Sequence, residues 1–133
     1  MQEKGFTLVE VVITVGVVAF ALVSYLGTNY AIEKAAEAAY QKSVAVQDAQ
    51  QVIESMRSLA ISGTFPGNVT GTYPDNSNIT SYTNLTNESI NVSYVSASAN
   101  PLDTTVAVSY KQNGTRTITN SIRTLITQRT AAS

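Results

Sequence analysis

The feature that most constrains this chain is a run of 22 residues without a charged side chain, Val11–Ile32. It overlaps the segment Phe6–Leu26, in which 13 residues are Val, Ile, Leu or Phe. An apolar helix of about 20 residues crosses the hydrocarbon core of a bilayer, and a lone span satisfies its backbone only as a helix. At ~0.3–0.6 kcal/mol each, these side chains favour insertion by on the order of 4–8 kcal/mol. The run therefore predicts a membrane-spanning helix. It is too long for the alternatives, a buried strand pair or the apolar part of a secretory signal.

The next region, Ala31–Ala60, predicts an amphipathic helix. It lacks Gly and Pro, is rich in Ala, Glu, Lys and Gln, and has apolar residues at intervals of three and four. The predicted apolar face consists of Ile32, Ala35, Ala39, Val46, Ala49, Ile53, Met56 and Ala60, widened by Val52 and Leu59, with Lys42 in one polar slot. Ser62-Gly63 and Pro66-Gly67 predict its end. Gly27 is the weakest point of the combined helix Phe6–Ala60, and we expect a bend or local melting there.

From Ile61 onward the composition favours strands and turns, because 33 of the last 73 residues are Ser, Thr or Asn. Apolar residues alternate in three segments, which predicts three strands at Glu88–Val95, Thr104–Lys111 and Thr115–Gln128. Leu125 has the opposite parity to the isoleucines of the last segment, which suggests a bend or bulge near Arg123–Leu125. Phe65–Asn87 shows mainly turn chemistry and is predicted to be mostly loop.

Three strands need a partner surface, and the apolar face of the Ala31–Ala60 helix is available. We therefore predict the α+β class: a long N-terminal helix, transmembrane in its first half and amphipathic in its second, packed on a small antiparallel sheet. In the last hairpin, a three-residue loop at Gln112-Asn113-Gly114 places the isoleucines on the valine face. This register predicts positive φ at Gly114 and Val108 opposite Ile118.

The composition offers little for catalysis. The chain has no Cys, hence no disulfide or thiolate metal site, and no His, the commonest general base. Its formal net charge of −1 gives no electrostatic case for nucleic-acid binding. The isolated carboxylates Asp75, Glu88 and Asp103 could meet at a calcium site, but without Asp-x-Asp spacing we expect solvated turn residues. We predict no catalytic, cofactor-binding or metal residue and no enzyme activity.

The N-terminus carries the most specific motif, Met-Gln-Glu-Lys-Gly-Phe-Thr-Leu-Val-Glu. A carboxylate in a lipid-facing segment costs up to ~2.5–3.5 kcal/mol at mid-bilayer, less near its end, so Glu10 needs a partner that no Lys or Arg of the span provides. With its charged leader, glycine, phenylalanine and single glutamate in an apolar run, Gly5–Glu10 resembles the processing signal of type IV prepilins and pseudopilins.

That resemblance implies a set of site residues. Prepilin peptidase would cleave between Gly5 and Phe6 and methylate the new Phe6 amine. Glu10 would be the assembly carboxylate, paired with the Phe6 amine of the same chain or a neighbouring subunit. The implied organisation is a leader at 1–5, a transmembrane and filament-core half-helix at 6–30, an amphipathic half-helix at 31–60 and a β domain at 61–133.

Less specifically, Tyr40–Ala60 and Thr105–Arg129 resemble the second half-helix and final hairpin of small minor pilins and pseudopilins. The resemblance implies a pilin-like fold and a structural, minor subunit of a type IV pilus or related filament. Before assembly the chain would sit in the inner membrane with its C-terminal domain outside the cytoplasm. The implied partners are prepilin peptidase, other pilin subunits, the inner-membrane assembly platform and membrane lipid, with no cofactor. A type II secretion pseudopilin and a tip or DNA-uptake binding subunit remain open as alternatives.

Overall fold

A computed structural model describes residues 7–61, 64–112 and 114–128, and the chain divides into two compact units, Met1–Ala38 and Ala39–Ser133. Helix α1, Leu8–Ile61, begins in the first unit and ends in the second. The second unit also holds the short helix α2 (Gly67–Thr72) and strands β1 (Ser77–Ile79), β2 (Ser89–Tyr94), β3 (Leu102–Gln112) and β4 (Arg116–Ile126). Helical structure continues through Gly27, so the local melting expected there does not occur.

The four strands form one antiparallel sheet in the order β1-β2-β3-β4, and α1 packs against it within the second unit. The predicted α+β architecture is therefore confirmed. The prediction that Phe65–Asn87 is mostly loop is confirmed, although the short elements α2 and β1 also lie there. Neither element is long enough to show a period. Two of the six residues of α2 are glycines, and tertiary contact through the buried Val69 compensates for that low helix propensity.

The core of the second unit lies between the C-terminal part of α1 and the inner face of the sheet. From α1 it takes Ala45, Ala49, Val52, Ile53, Met56 and Ala60, and from the rest of the unit Val69, Leu85, Ile90, Val92, Leu102, Val106, Val108, Tyr110 and Ile126. The predicted apolar face of α1 is thus correct over its last part and wrong at its start, where Ile32, Ala35 and Ala39 are exposed. Three alanines in the α1 set leave room for the larger strand side chains.

The β3–β4 hairpin confirms one part of the predicted register and corrects another. Gly114 has φ of +72°, as predicted. Val108, however, lies opposite Asn120, and Ile118 lies opposite Tyr110, two residues from the predicted pairing. Both registers keep the isoleucines on the core face because the shift is even. The observed register places three pairs of apolar residues opposite each other, including Leu102–Ile126 and Val106–Ile122. The predicted register would place only one such pair.

The expected bulge near Arg123–Leu125 is also absent. Pairing between β3 and β4 continues without a break from Gln112–Arg116 to Leu102–Ile126. Leu125 instead projects from the outer face of the sheet and is 60% exposed. A single exposed leucine is common on protein surfaces and did not require a change of backbone path.

Candidate functional site

The described chain begins with a capping box at the start of α1. Thr7 precedes the first helical residue, and its Oγ1 accepts a hydrogen bond from the Glu10 backbone N–H at 3.4 Å. In return, the Glu10 carboxylate oxygen Oε2 accepts from the Thr7 backbone N–H at 3.5 Å and from the Thr7 hydroxyl at 3.4 Å. The reciprocal arrangement satisfies backbone donors that a helix N-terminus leaves unpaired, and the carboxylate also complements the helix dipole.

These bonds leave the Glu10 carboxylate accessible. Both side chains of the box are exposed, and every side-chain bond in it is longer than the usual 2.9–3.0 Å. Among residues 7–61, 64–112 and 114–128, the ion pairs are Arg57–Glu54 and Arg123–Asp103, so Glu10 has no cationic partner there. Gly5 and Phe6, the predicted processing site, lie outside the described residues.

The surface of α1 up to residue 26 is largely apolar and exposed. Its exposed large side chains up to residue 26 are Leu8, Val9, Val11, Val12, Ile13, Val15, Val17, Val18, Phe20, Leu22, Val23, Tyr25 and Leu26. The helix is long and apolar enough to cross a membrane, and no residue of its most apolar window is buried within the protein. So large a continuous apolar surface is typical of a segment that contacts lipid or other protein chains.

Three Ser and Thr hydroxyls between residues 14 and 28 are satisfied by the helix itself. Thr14 Oγ1 donates to the Glu10 carbonyl at 2.7 Å, Ser24 Oγ to the Phe20 carbonyl at 2.9 Å, and Thr28 Oγ1 to the Ser24 carbonyl at 3.0 Å. Each bond reaches back four residues along α1. Because these hydroxyls need no water, they add little to the free energy of placing the helix in an apolar environment.

The first 26 residues match a family model described as the prokaryotic N-terminal methylation motif. The chain carries the signature of type IV prepilins and pseudopilins. No curated protein and no solved structure matches the chain. The signature implies processing by a prepilin peptidase and assembly with other pilins, and with the apolar start of α1 it fits a pilin anchored in the inner membrane.

The three carboxylates considered for calcium do not meet, and each has a structural role. Asp75 Oδ1 accepts the Tyr94 backbone N–H at 2.9 Å, at the end of β2. Asp103 receives two hydrogen bonds from Arg123, at 2.8 and 2.5 Å, and this guanidinium lowers the pKa of Asp103. Glu88 is buried, so its prediction as a solvated turn residue is wrong. Within the part of the chain that the structure describes, no three His, Cys, Asp or Glu residues could share a metal ion.

Two polar residues that matter in the structure were missed from the sequence. Thr7 lies within the prepilin motif, but Thr7-x-x-Glu10 ahead of an apolar run also has the sequence form of a capping box. Asp48 is buried on α1, only 3% exposed. Its position beside Ala49 gave a weak signal, because charged residues are seldom fully buried and periodicity alone places Asp48 at the margin of the apolar face.

Proposed function

We propose that this protein is a structural subunit, of the minor class, of a type IV pilus or a related filament. The observation that carries the proposal is an unburied apolar helix segment directly after the prepilin processing motif. A peptidase would cut after Gly5, methylate the Phe6 amine and leave Glu10 near the new N-terminus. The second unit, with its Ser/Thr/Asn-rich sheet, would form the filament surface.

The exposed apolar surface of α1 would serve two successive environments. Before assembly it contacts lipid, where the side chains of residues 6–26 favour insertion by roughly 4–8 kcal/mol in total. In the filament the same surface packs against equivalent helices of neighbouring subunits. Extraction from the membrane is then an exchange of one apolar environment for another, which keeps the difference in free energy small.

Glu10 would align neighbouring helices in the filament. A methylated Phe6 ammonium in the water-poor filament core needs a counter-charge, because an unpaired buried ion costs several kcal/mol even after relaxation. Toward the described residues, the Glu10 carboxylate has only long, exposed hydrogen bonds to Thr7 to give up. Pairing between neighbours would fix the axial position of one helix against the next.

The experiment compares three variants of the full chain: Glu10→Gln, Glu10→Ala and the control Glu33→Gln, an exposed carboxylate beyond the uncharged run. Glutamine also suits the third position of a capping box, so Glu10→Gln preserves the cap and removes only the charge. We expect both Glu10 variants to be inserted and cleaved normally but depleted from sheared filaments, while Glu33→Gln assembles like the wild type. Equal incorporation of all three would refute the pairing role of Glu10.

The pseudopilus of a type II secretion system is the second candidate, because its subunits carry the same signature. Quantifying the protein in purified filaments, and in the secretion machinery of the same cells, separates the candidates. If the protein is a trace component of pili, it is a minor pilin. If it is the bulk component, it is the major subunit. Loss of protein secretion in a deletion strain that keeps its pili favours the pseudopilin. Loss of DNA uptake alone, with both pili and secretion intact, favours the binding subunit.

A further inference from the structure

Two buried carboxyl groups face each other between α1 and the loop 80–88 that precedes β2. Asp48 on α1 is 3% exposed and Glu88 at the end of the loop is 8% exposed. Asp48 Oδ1 accepts a hydrogen bond from Asn84 Nδ2 at 2.9 Å, and Glu88 Oε2 accepts the Leu85 backbone N–H at 3.1 Å. The remaining oxygens, Asp48 Oδ2 and Glu88 Oε1, are buried and have no hydrogen-bond partner. The two carboxyls are held by adjacent residues of the loop, Asn84 and Leu85, which places them close together.

Two ionised carboxylates are not a stable arrangement in such a place. Two neighbouring negative charges repel strongly where water is scarce, and neither unpartnered oxygen has a donor. The ion pairs of the described residues use Arg57 and Arg123, so no basic side chain there neutralises Asp48 or Glu88. A calcium ion would need six to eight oxygen ligands, and the described residues place no third acidic group with these two.

One bound proton would remove both the repulsion between the carboxylates and the two unpartnered oxygens. A protonated Glu88 has an O–H group that can donate to Asp48 Oδ2, which turns the two unpartnered oxygens into one hydrogen bond. We propose that Asp48 and Glu88 share one proton and so form a pH-sensitive clamp between α1 and the loop 80–88. Above the pH at which the proton is lost, the two carboxylates repel and the clamp opens.

The surroundings of the pair favour this state. Burial raises the pKa of Glu88, and the neighbouring Asp48 raises it further, while the Leu85 and Asn84 backbone N–H groups lower it in part. Tyr82, in the same loop, faces the pair, and its own pKa is raised by burial, by Tyr73 and by both carboxyls. In the described residues, no lysine or arginine contributes to the shift at Glu88.

Opening the clamp would loosen the loop without unfolding the sheet. The loop has two further attachments that do not titrate: Leu85 is buried in the core, and the Thr86 carbonyl accepts the Lys111 backbone N–H from β3 at 2.9 Å. A group whose pKa is raised by folding stabilises the folded state at low pH, and that contribution is lost as the pH rises through the raised value. The second unit should therefore be less stable, and its loop more mobile, above that pH.

The direct test is a carboxyl ¹³C NMR titration of the full chain in detergent micelles, with Glu88 and Asp48 assigned from the Glu88→Gln and Asp48→Asn variants. We expect Glu88 to release its proton at a distinctly higher pH in the wild type than in Asp48→Asn, because Asp48 raises the pKa of Glu88. If Glu88 titrates at the same pH in the wild type and in Asp48→Asn, the proposal is wrong. It is equally wrong if calcium at neutral pH shifts both resonances, because the pair would then be a cation site.

A stability comparison gives a second, independent readout. Glu88→Gln mimics the protonated acid, because its amide can donate to Asp48 and its carbonyl can accept the Leu85 N–H. We expect its melting temperature to equal that of the wild type near pH 4 and to exceed it increasingly as the pH rises. The control Glu54→Gln, at a side chain 67% exposed, should follow the wild type at every pH. A constant difference between Glu88→Gln and the wild type would overturn the shared proton.

Discussion

The last two apolar residues of β4 provide a matched test of the fold of the second unit. Ile126 is 2% exposed and lies opposite the fully buried Leu102, whereas its neighbour Leu125 is 60% exposed on the outer face. Truncating a buried isoleucine to alanine costs ~2–5 kcal/mol. Because Ile126 is the last residue of an edge strand and its surroundings can partly collapse, we expect about 2 kcal/mol for Ile126→Ala. Leu125→Ala should stay within ~0.5 kcal/mol.

The assay is thermal unfolding of the full chain in nonionic detergent, followed by the near-ultraviolet circular dichroism of its tyrosines, of which Tyr110 is in the core. For a unit of this size each kcal/mol lowers the melting temperature by ~4–8 °C, so Ile126→Ala should melt roughly 8–16 °C below the wild type. Leu125→Ala should melt within a few degrees of the wild type. Equal losses, or a larger loss for Leu125→Ala, would refute the pairing of β3 with β4 and restore a bulge at this point.

Two further predictions concern the hairpin turn and the membrane boundary. Gly114→Ala should destabilise the second unit by ~1–2 kcal/mol through its backbone alone, because φ is +72° and an added Cβ meets nothing within 4 Å; an unchanged melting temperature would contradict the positive φ. Tyr30 is 64% exposed and Lys34 Nζ lies 5.6 Å from its ring centroid, an arrangement suited to the lipid headgroup level. Because the chain has no tryptophan, the single tryptophan of Tyr30→Trp or of Tyr25→Trp reports how deep that position lies in the bilayer. We expect the tryptophan fluorescence at position 30 to be quenched best by lipids brominated near the headgroup, and that at position 25 by lipids brominated deeper in the acyl chain. The reverse order would contradict a membrane boundary at Tyr30.

The long helix and the longer strands were predictable from the sequence, because each is indicated by many residues at once. The apolar run at Val11–Ile32 and the three alternating segments each predicted an element that the structure contains. The strand β1 was not predictable in this way. Its three residues, Ser-Asn-Ile, carry no period and form a strand because β2 offers them a pairing edge.

The error in the hairpin register is instructive for a different reason. The parity rule correctly placed Ile118 and Ile122 toward the core, but it cannot distinguish registers that differ by two residues. The pairs Leu102–Ile126 and Val106–Ile122 decide between them. Counting apolar pairs over the whole length of both strands, instead of choosing the turn first, would have favoured the observed register.

Part of the candidate site was accessible from sequence and part was not. The spacing of Gly5, Phe6 and Glu10 is a local signal and predicted the prepilin motif, which the family match supports over residues 1–26. The Asp48–Glu88 pair joins residues 40 positions apart that have no shared motif. Only the packing of α1 against the loop 80–88 brings them together, so no reading of either segment alone could have found the pair.

The central claim is that the chain is processed and methylated as a prepilin, and mass spectrometry of its N-terminus tests this most directly. The protein is extracted from membranes of a host with a working prepilin peptidase and from the same host without it. The account predicts a mature chain that begins at Phe6 with one added methyl group in the first host, and an unmethylated chain that keeps Met1–Gly5 in the second. A chain that keeps Met1–Gly5 in both hosts would contradict it.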